Sequence, residues 1–387
     1  MRAGRETEQF TTTGWPWRPG NRFRLLADGG EFFACMHDAI DAARALVLLE
    51  MYLVSSGALL TRFIDALVAA AGRGTRVCVV FDGFGSLGMS RHDRRRLLEA
   101  GVELRFFNPL SLAKRMDNLL RDHRKLLVTD GRTAFVGGAG LTDEFAPGAR
   151  GGAWRDQMLR IEGPVVADWQ RAFARTWRRC GGELAPAPAS PPCAAGAAGR
   201  LALSEARQHS VLANGVIRRI EGAGVRVWIM SAYFVPSRRF RKALRRAARR
   251  GVDVRLLVPG ARTDHPWVRQ AARRFYGKLL RNGVKILEYQ PRVLHGKMIL
   301  CDEWVSVGSS NLDRWSFRWN LEANQEVADA GFADTAAALF EADFAAARAL
   351  SRRYWRQRAW LDRLRESIAG VLDRHLDRWR RLRRRAD

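Results

Sequence analysis

The stretch "LHGKMILCD" at residues 294–302 uses a pattern that already occurs in "DHRKLLVTD" at residues 122–130. Both segments read His-x-Lys-x-x-x-x-Asp, and the matching residues are His123, Lys125 and Asp130, then His295, Lys297 and Asp302. Of the 66 basic residues only 6 are lysine, and two of those six occupy the third position of the pattern. A compact ammonium group is therefore favoured there over a planar guanidinium. Two accidental matches are improbable, so we interpret the pattern as two copies of one functional unit.

The repeat extends to the flanking segments. A strand-like apolar run, a segment with apolar residues at helical spacing before a glycine, and a second strand-like run occur in the same order in both halves. These segments are 45–54, 59–74 and 75–83 in the first half, and 225–235, 238–251 and 252–260 in the second. Each motif then follows a helix end, a glycine, a strand and a proline. Strands that are apolar on both faces predict an α/β fold with mixed sheets covered by helices.

Composition predicts five regions along the chain. Residues 181–200, "GGELAPAPASPPCAAGAAGR", are rich in Pro, Ala and Gly, which indicates a linker. We expect domains at 22–180 and 201–345, with an N-terminal arm at 1–21. Residues 346–387 form an Arg-rich tail whose apolar residues recur near every third and fourth position. This spacing predicts an amphipathic helix that either lies on anionic lipid or packs on its own domain.

The charge of the chain predicts an anionic partner. The 66 Lys and Arg exceed the 40 Asp and Glu, which gives a formal net charge of +26. Such a field attracts nucleic acid or an anionic membrane surface. Five scattered cysteines without a C-x-x-C pair indicate a reducing compartment and no structural zinc. We find neither the apolar core of a signal peptide nor a bilayer-spanning run, so any membrane contact is expected to be peripheral.

The two motifs resemble the signature of the phospholipase D superfamily, which carries His-x-Lys-x4-Asp in each half. The second half has the extended form "HGKMILCDEWVSVGSSNLDRWSFRWNLEAN" at 295–324. With "HRKLLVTDGRTAFVGG" at 123–138 and "WRDQMLRIEGP" at 154–164, it looks most like bacterial cardiolipin synthases, particularly the short B type. The resemblance covers roughly residues 22–345. It implies two phospholipase D-like α/β/α domains related by a pseudo-two-fold axis.

Paired imidazole and ammonium groups suit phosphodiester exchange, which needs a nucleophile, cations around the phosphoryl oxygens and an acid. These groups supply all three functions, and we expect no metal or cofactor. One imidazole would attack phosphorus to form a phosphohistidine, and the other would protonate the departing alcohol and deprotonate the incoming one. The residues alone leave the polarity open. The resemblance implies His123 as nucleophile and His295 as acid and base.

Further residues are expected to contact the phosphate. Lys125 and Lys297, helped by Ser309 and Asn311, would hold the developing charge on the phosphoryl oxygens. The first half reads "GGAGLTDEF" at 137–145 and has Gly140 where the family usually has asparagine. That subsite is expected to lose a phosphate contact or to replace it with a backbone N–H.

Four acidic residues complete the predicted site. Asp130 and Asp302 belong to the motifs, and we expect them to fix the strand and the turn that follow rather than to touch substrate. The resemblance implies that Asp156 and Glu322 orient the imidazoles. An orienting carboxylate fixes the tautomer and supports the imidazolium that forms during the reaction.

The resemblance implies a phosphatidyl transferase that makes cardiolipin from two phosphatidylglycerol molecules and releases glycerol. Its substrates would be anionic lipids at the cytoplasmic face of the inner membrane. Hydrolysis by a phospholipase or a nuclease, and transfer to another acceptor, stay open because water or another alcohol could resolve the same intermediate. A non-catalytic polyanion-binding protein would use the charge but has no need of two motifs. Nucleic acid is the less favoured partner, and neither the acceptor nor the oligomeric state is fixed by the sequence.

Other side chains carry weaker signals. The glycine-rich "DGFGSLG" at 82–88 lacks the end of a P-loop and is expected to be a loop at the edge of the sheet. Trp315 and Trp319 are expected to be core aromatics. The histidines outside the motifs are expected in ordinary surface or core positions, and they are His37, His92, His209, His265 and His375.

Overall fold

The computed structural model of the protein describes residues 14–187, 189–204, 211–313, 316–360 and residue 366. The strands of the first half are β1 (Arg18–Leu26), β2 (Leu46–Met51), β3 (Arg76–Asp82), β4 (Glu103–Phe107), β5 (Arg121–Asp122), β6 (Lys125–Thr129), β7 (Thr133–Gly137) and β8 (Met158–Glu162). Those of the second half are β9 (Ala197–Ser204), β10 (Arg226–Ser231), β11 (Phe234–Val235), β12 (Asp253–Pro259), β13 (Lys285–Tyr289), β14 (Lys297–Cys301), β15 (Trp304–Gly308), β16 (Leu312–Asp313), β17 (Asn320–Ala328) and β18 (Ala347–Ala349).

The helices follow the same duplication. They are α1 (Gly29–Ala42), α2 (Ala58–Gly72), α3 (Arg91–Glu99) and α4 (Val166–Arg179) in the first half, and α5 (Val211–Gly222), α6 (Arg238–Arg249), α7 (Pro266–Arg273), α8 (Tyr276–Arg281), α9 (Ser316–Trp319), α10 (Ala330–Ala345) and α11 (Arg352–Gln357) in the second. Short 3-10 helices span Leu112–Leu119 and Asp143–Phe145.

One mixed sheet runs through both halves. From its centre the order in the first half is β1-β8-β7-β6-β2-β3-β4, and in the second half it is β9-β17-β15-β14-β10-β12-β13. The two series correspond strand by strand and meet at the antiparallel pair β1–β9. This arrangement is expected of a two-fold axis between the halves, and it confirms the predicted α/β fold with mixed strands.

Helices cover the sheet in separate layers. Helices α1, α2 and α3 pack on the outer face of the first half, and α5, α6, α7 and α8 pack on that of the second. Helices α4 and α10 pack in a central core shared by both halves. Their buried aromatic residues are Trp169, Phe173, Trp177, Phe332, Phe340 and Phe344. Since burying one such side chain contributes about 1.5–3 kcal/mol, this core strongly favours association of the halves.

Helix α6 shows how the sequence sets these layers. Its buried residues Phe240, Ala243, Leu244 and Ala247 recur at helical spacing and face the core. Ser237 caps the helix by accepting a hydrogen bond from the Phe240 N–H at 3.2 Å. The arginines and the lysine between them consequently lie on the outer face.

Element ends differ from the predicted boundaries at three places. Strand β1 begins at Arg18, within the predicted arm, and β9 begins at Ala197, within the predicted linker. Strand β18 and helix α11 lie in the predicted tail. Because an unpaired edge strand exposes its N–H and C=O groups, β1 and β9 extend beyond the compositional boundaries to pair with each other. The rest of the predicted tail helix, apart from Glu366, lies outside the described residues.

Candidate active site

Each motif histidine lies just before a strand of its own half and hydrogen-bonds to the backbone of the other half. The N–H of His123 donates to the Leu321 carbonyl at 3.0 Å, and that of His295 donates to the Arg155 carbonyl at 2.8 Å. Next to these contacts, β5 pairs in parallel with the start of β17, and Arg155 forms a β-bridge with Leu294. The duplicated fold thereby brings the two motifs to one interface.

The orienting acids are exchanged between the halves. His123 Nδ1 lies 3.0 Å from the Glu322 carboxylate, and His295 Nδ1 lies 2.6 Å from Asp156 Oδ2. Both carboxylates are fully buried. Each imidazole therefore depends on an acid from the opposite half, a pairing that the order of the residues along the chain does not reveal.

The carboxylates of Glu322 and Asp156 accept hydrogen bonds from different kinds of neighbouring groups. Glu322 accepts hydrogen bonds from the Ser309 hydroxyl at 2.5 Å and from the Asn320 amide at 3.0 Å, whereas Asp156 accepts one from the N–H of Gln157 at 2.8 Å. Ser309 was expected on the phosphoryl oxygens, but its hydroxyl is committed to Glu322. Ser309 consequently positions the carboxylate that orients His123.

The motif lysines lie beside their own histidines. Lys125 Nζ donates to the His123 carbonyl at 2.7 Å and lies 5.0 Å from the centre of the Tyr52 ring. Lys297 Nζ donates to the His295 carbonyl and also lies 2.9 Å from His295 Nδ1. Each ammonium group is thus held by a backbone carbonyl next to its imidazole.

His295 Nδ1 cannot hydrogen-bond to both Asp156 and Lys297. It would have to donate to the carboxylate and accept from the ammonium group, and a neutral imidazole nitrogen does only one of these. We assign its proton to the bond with Asp156, since that contact is shorter and its acceptor is charged. His123 and Glu322 form the equivalent pair. Both Nε2 atoms are then left without a proton and can act as nucleophile or base.

Burial sets the charge state of the four basic groups. Burial lowers the pKa of His123 to about 4 against the opposing effect of Glu322, and burial and then Lys297 lower the pKa of His295. Burial also lowers the pKa of Lys125 to about 7 and lowers that of Lys297. A phosphodiester anion bound between them would raise all four pKa values, since a nearby negative charge favours the cationic forms.

A cavity of about 770 Å³ lies between the halves and exposes both imidazoles to a ligand. Lys125 and Asn311 also line it. The Asn311 side-chain oxygen is buried and has no hydrogen-bond partner among the described residues. This oxygen can accept a hydrogen bond from the hydroxyl group of a bound alcohol, and only the amide nitrogen of Asn311 can donate to a phosphate oxygen.

Gly140 lines the same cavity at the position equivalent to Asn311. A Cβ atom at Gly140 would lie 2.8 Å from both the Cβ and the carbonyl oxygen of Leu53. The N–H of Leu141 donates to that carbonyl at 2.8 Å, which holds the two segments together. An asparagine side chain would therefore displace the backbone at residue 53, and the glycine is explained by this close approach.

Asp130 and Asp302 lie at the far ends of strands β6 and β14. Both adopt a left-handed backbone conformation, with φ of 52° and 51°. The Asp130 carboxylate accepts the N–H groups of residues 44–46 at 2.8–3.0 Å, and Asp302 accepts those of residues 224–226. Five residues of strand place them roughly 16 Å from the lysines, so both aspartates fix the turns outside the cavity.

Aromatic residues that sequence reasoning did not identify surround the imidazoles. The ring of Tyr52 lies 4.7 Å from that of His123, while Phe145 and Trp154 lie 5.2 and 5.4 Å from that of His295. These residues occur in apolar runs or loops without a distinguishing spacing, so no local pattern marked them.

His265 lies in an exposed position, as expected, and it also lines the cavity. Its ring lies 5.2 Å from that of Tyr233, whose hydroxyl donates to Asp264. The glycine-rich segment at 82–88 forms a turn after β3, as predicted. Trp319 is half-buried, and Trp315, His209 and His375 lie outside the described residues.

The fold is shared with a protein of known structure. The crystal structure of phosphatidylserine synthase from Haemophilus influenzae matches with a TM-score of 0.73 and 12% sequence identity, covering 96% of this chain and 97% of that chain. At this identity the likeness establishes the fold alone. The sequence match to a PLD-like family, together with the two histidine half-sites, makes the protein an enzyme of the phospholipase D superfamily.

Sequence comparison then identifies the family. The family described as "Cardiolipin synthase, PLD-like domain" matches residues 36–177 and 216–344. Cardiolipin synthase A of Pseudomonas aeruginosa is 38% identical over 350 residues, covering 85% of this chain and 68% of the relative. Cardiolipin synthase B of Shigella flexneri is 36% identical over 333 residues, covering 82% and 79%. The chain belongs to this family of phospholipase D-like cardiolipin synthases.

Proposed function

We propose that the protein is a phosphatidyl transferase that joins two phosphatidylglycerol molecules into cardiolipin and releases glycerol. The observation that carries this proposal is the pair of crossed imidazole–carboxylate contacts, His123 with Glu322 and His295 with Asp156, which open on one cavity. Two imidazoles facing one phosphorus allow attack and proton transfer from opposite sides.

In the first half-reaction, His123 Nε2 attacks the phosphorus of one phosphatidylglycerol and forms the P–N bond of a phosphohistidine. The P–O bond to the headgroup glycerol breaks, and protonated His295 gives its Nε2 proton to the departing oxygen. The anionic substrate raises the pKa of His295 enough to supply that proton. Glu322 balances the positive charge that develops on the His123 ring.

In the second half-reaction, His295 Nε2 accepts the proton of a primary hydroxyl of a second phosphatidylglycerol. The resulting alkoxide attacks phosphorus, the P–O bond of cardiolipin forms and the P–N bond breaks. Lys125, Lys297 and the Asn311 amide would stabilise the charge on the phosphoryl oxygens in both steps. Water in place of the second lipid would yield phosphatidic acid.

An apolar rim that begins at the cavity and extends along the adjoining loops supports docking on a membrane. We define the rim as Phe84, Leu87, Leu112, Met116 and Trp267, whose exposed fractions reach 49% for Phe84, 68% for Trp267 and 99% for Leu112. Phe84 and Trp267 line the cavity from opposite halves. The loops that carry the other rim residues adjoin each other, because Gly83 packs directly against Pro109. A bilayer would bury these side chains and deliver lipid headgroups to the imidazoles.

The described residues contain no helix long and apolar enough to cross a bilayer. We infer peripheral attachment through the rim, at the cytoplasmic face of the inner membrane. The net charge of +26 favours that anionic leaflet.

The transferase is tested by incubating the purified protein and chelator with phosphatidylglycerol vesicles and following lipids by mass spectrometry. Cardiolipin with equimolar glycerol is expected, and His123→Ala and His295→Ala should each abolish it. His92→Ala, an exposed residue of α3, is the matched control and should retain activity. Phosphatidic acid as the sole product would instead identify a hydrolase, and turnover in either motif variant would exclude the two-histidine mechanism.

The predicted polarity of the histidines needs a separate measurement. A phosphodiester with a good leaving group does not require the acid, so His295→Ala should accumulate the phosphoenzyme. Peptide mass spectrometry should then find phosphate on His123. Phosphate on His295 in the reciprocal His123→Ala variant, with no phosphate on His123 in the His295→Ala variant, would reverse the assignment.

Docking through the rim is tested with Leu112→Asp. Burying a leucine contributes about 1.5–3 kcal/mol, so binding to vesicles should weaken at least about tenfold. Turnover of micellar substrate should persist, because Leu112 does not line the cavity. Leu98→Asp on α3 is the control, since Leu98 is 48% exposed and lies outside the rim. Equal losses in both variants would refute the docking surface.

A further inference from the structure

A second concave surface lies between α6 and α8, outside the catalytic cavity. We call it the basic groove. It contains adjoining depressions of about 200 and 580 Å³. Among the residues that the structure describes, no acidic side chain lines either depression. The lining residues are Arg238, Arg239, Arg241, Lys242, Arg245, Arg274, Phe275, Lys278 and Leu279.

The duplicated fold provides an internal comparison for these charges. Helix α6 reads RRFRKALRRAAR and has no acidic residue, whereas its counterpart α2 reads ALLTRFIDALVAAAG. When Phe63, Ala66, Leu67 and Ala70 of α2 are aligned with the buried residues of α6, Lys242 and Arg245 of the groove correspond to Asp65 and Val68. Both helices pack against their sheets with the same apolar spacing, so the fold does not require the cations. Their concentration on α6 is a property of the second half alone.

Several groove cations lack a carboxylate partner. Arg239 donates to the side chain of Asn214 at 3.0 Å, and Arg245 donates to the Arg241 carbonyl at 3.1 Å. Within the parts of the chain that the structure describes, Arg238, Arg239, Lys242, Arg245 and Lys278 form no ion pair. Holding several like charges together in this way is unfavourable unless an anion neutralises them.

Phe275 gives the groove a fixed floor. The guanidinium groups of Arg241 and Arg274 stack on its ring at 3.9 and 4.4 Å from the ring centre. Stacking keeps the planar groups ordered beside the other cations of the groove. Clusters of arginine and lysine are typical of phosphate recognition.

The groove is continuous with the wall of the catalytic cavity. Trp267, Val268 and Ala271 of α7 line that cavity, and the chain continues through Phe275 into α8. Seven positions along the chain separate Ala271 from Lys278, with a turn at Arg274 and Phe275 between the two helices. We therefore expect a membrane that contacts the exposed Trp267 to lie close to the groove.

We propose that the basic groove binds the phosphate of an anionic phospholipid headgroup at a site distinct from the catalytic centre. The stretch from Arg238 to Arg245 covers only about 10 Å of helix, which suits one or two phosphates rather than a nucleic-acid backbone. The nearby apolar rim is buried by a bilayer and not by a duplex. The inference that the phosphate belongs to a lipid rests on the proposed membrane function. The inference that the groove binds a phosphate does not.

The test compares Lys242→Gln/Arg245→Gln with the control Arg62→Gln/Arg132→Gln. Both changes remove two exposed or half-buried cations, and the control residues lie in the first half outside the groove. Glutamine preserves helix propensity, and circular dichroism checks folding. Binding is measured by co-sedimentation with vesicles of phosphatidylglycerol in phosphatidylcholine and with phosphatidylcholine alone. Each neutralised cation is expected to weaken anionic-vesicle binding about fivefold, which gives roughly 25-fold for the groove variant.

Several results would overturn the proposal. Equal weakening in both variants would show a diffuse charge effect. Groove-dependent binding of inorganic phosphate, with vesicle binding unchanged, would identify a free phosphate as the ligand. Groove-dependent binding of duplex DNA, with vesicle binding unchanged, would identify nucleic acid.

Transfer with micellar phosphatidylglycerol is measured in parallel, and its kcat should be the same in both variants and the wild type. A wild-type protein that makes no cardiolipin would refute the proposed function. The vesicle comparison would still decide the groove, because co-sedimentation does not depend on turnover.

Discussion

Replacing Glu322 with glutamine probes the crossed pairing directly. The carboxylate is fully buried and accepts hydrogen bonds from His123 at 3.0 Å, Ser309 at 2.5 Å and Asn320 at 3.0 Å. Glutamine keeps the size and one acceptor oxygen but removes the charge facing the imidazole. A hydrogen bond to a charged group contributes about 1.5–3 kcal/mol, and replacing the acid of a histidine triad by its amide can lower kcat about 10⁴-fold. We therefore expect kcat to fall about 10²- to 10⁴-fold.

The assay is the initial rate of cardiolipin formation on micellar phosphatidylglycerol, normalised to the folded fraction. Glu326→Gln is the matched control, because Glu326 is also buried on β17 and pairs with Arg200 at 3.0 Å away from the cavity. It should lower stability by about 3–5 kcal/mol while kcat of the folded protein stays within about threefold. A Glu322→Gln enzyme whose kcat also stays within about threefold would refute the pairing.

Three further predictions concern the turn at Asp130, the close approach at Gly140 and the buried imidazole of His123. Asp130→Ala removes the acceptor of three backbone N–H groups, so urea denaturation should show a loss of about 1–3 kcal/mol; lost kcat at unchanged stability would contradict a structural role. Gly140→Asn should cost about 1–3 kcal/mol through overlap with Leu53, lowering Tm; an unchanged Tm would contradict the close approach. Because burial lowers the pKa of His123 from 6.5 to about 4, the unfolded state binds more protons in that range, and the free energy of unfolding should fall by about 3 kcal/mol as pH drops from 6.5 to 4. His123→Gln should lack that part of the pH dependence, and the same pH dependence in both proteins would contradict it.

The repeat made much of the fold predictable from the sequence. Apolar runs and helical spacing located β2, α2 and β3 and their counterparts within a few residues, because burial on both faces leaves a strong local signal. Strands β1 and β9 were not predicted. The Ala- and Gly-rich start of β9 indicates a linker by composition, and only its pairing with β1 makes it a strand.

Part of the candidate site depended on contacts that no local pattern records. The motifs identified His123 and His295, but the exchange of Asp156 and Glu322 arises from how two complete halves associate. Ser309 could be identified from the extended motif, but the orientation of its hydroxyl is set by its hydrogen bond to Glu322. Gly140 departs from the family pattern for a reason visible only in its contact with Leu53.

The exchange of acids also determines when the protein becomes reactive during its synthesis. His123 and Glu322 are 199 residues apart, which corresponds to about 10–40 s of translation. Until the second half emerges and folds, the first histidine has neither its carboxylate partner nor the opposing imidazole. Under the proposed mechanism, a nascent chain or a truncated first half near the membrane would therefore lack both partners of His123, and phosphodiester cleavage would begin only when the second half has docked.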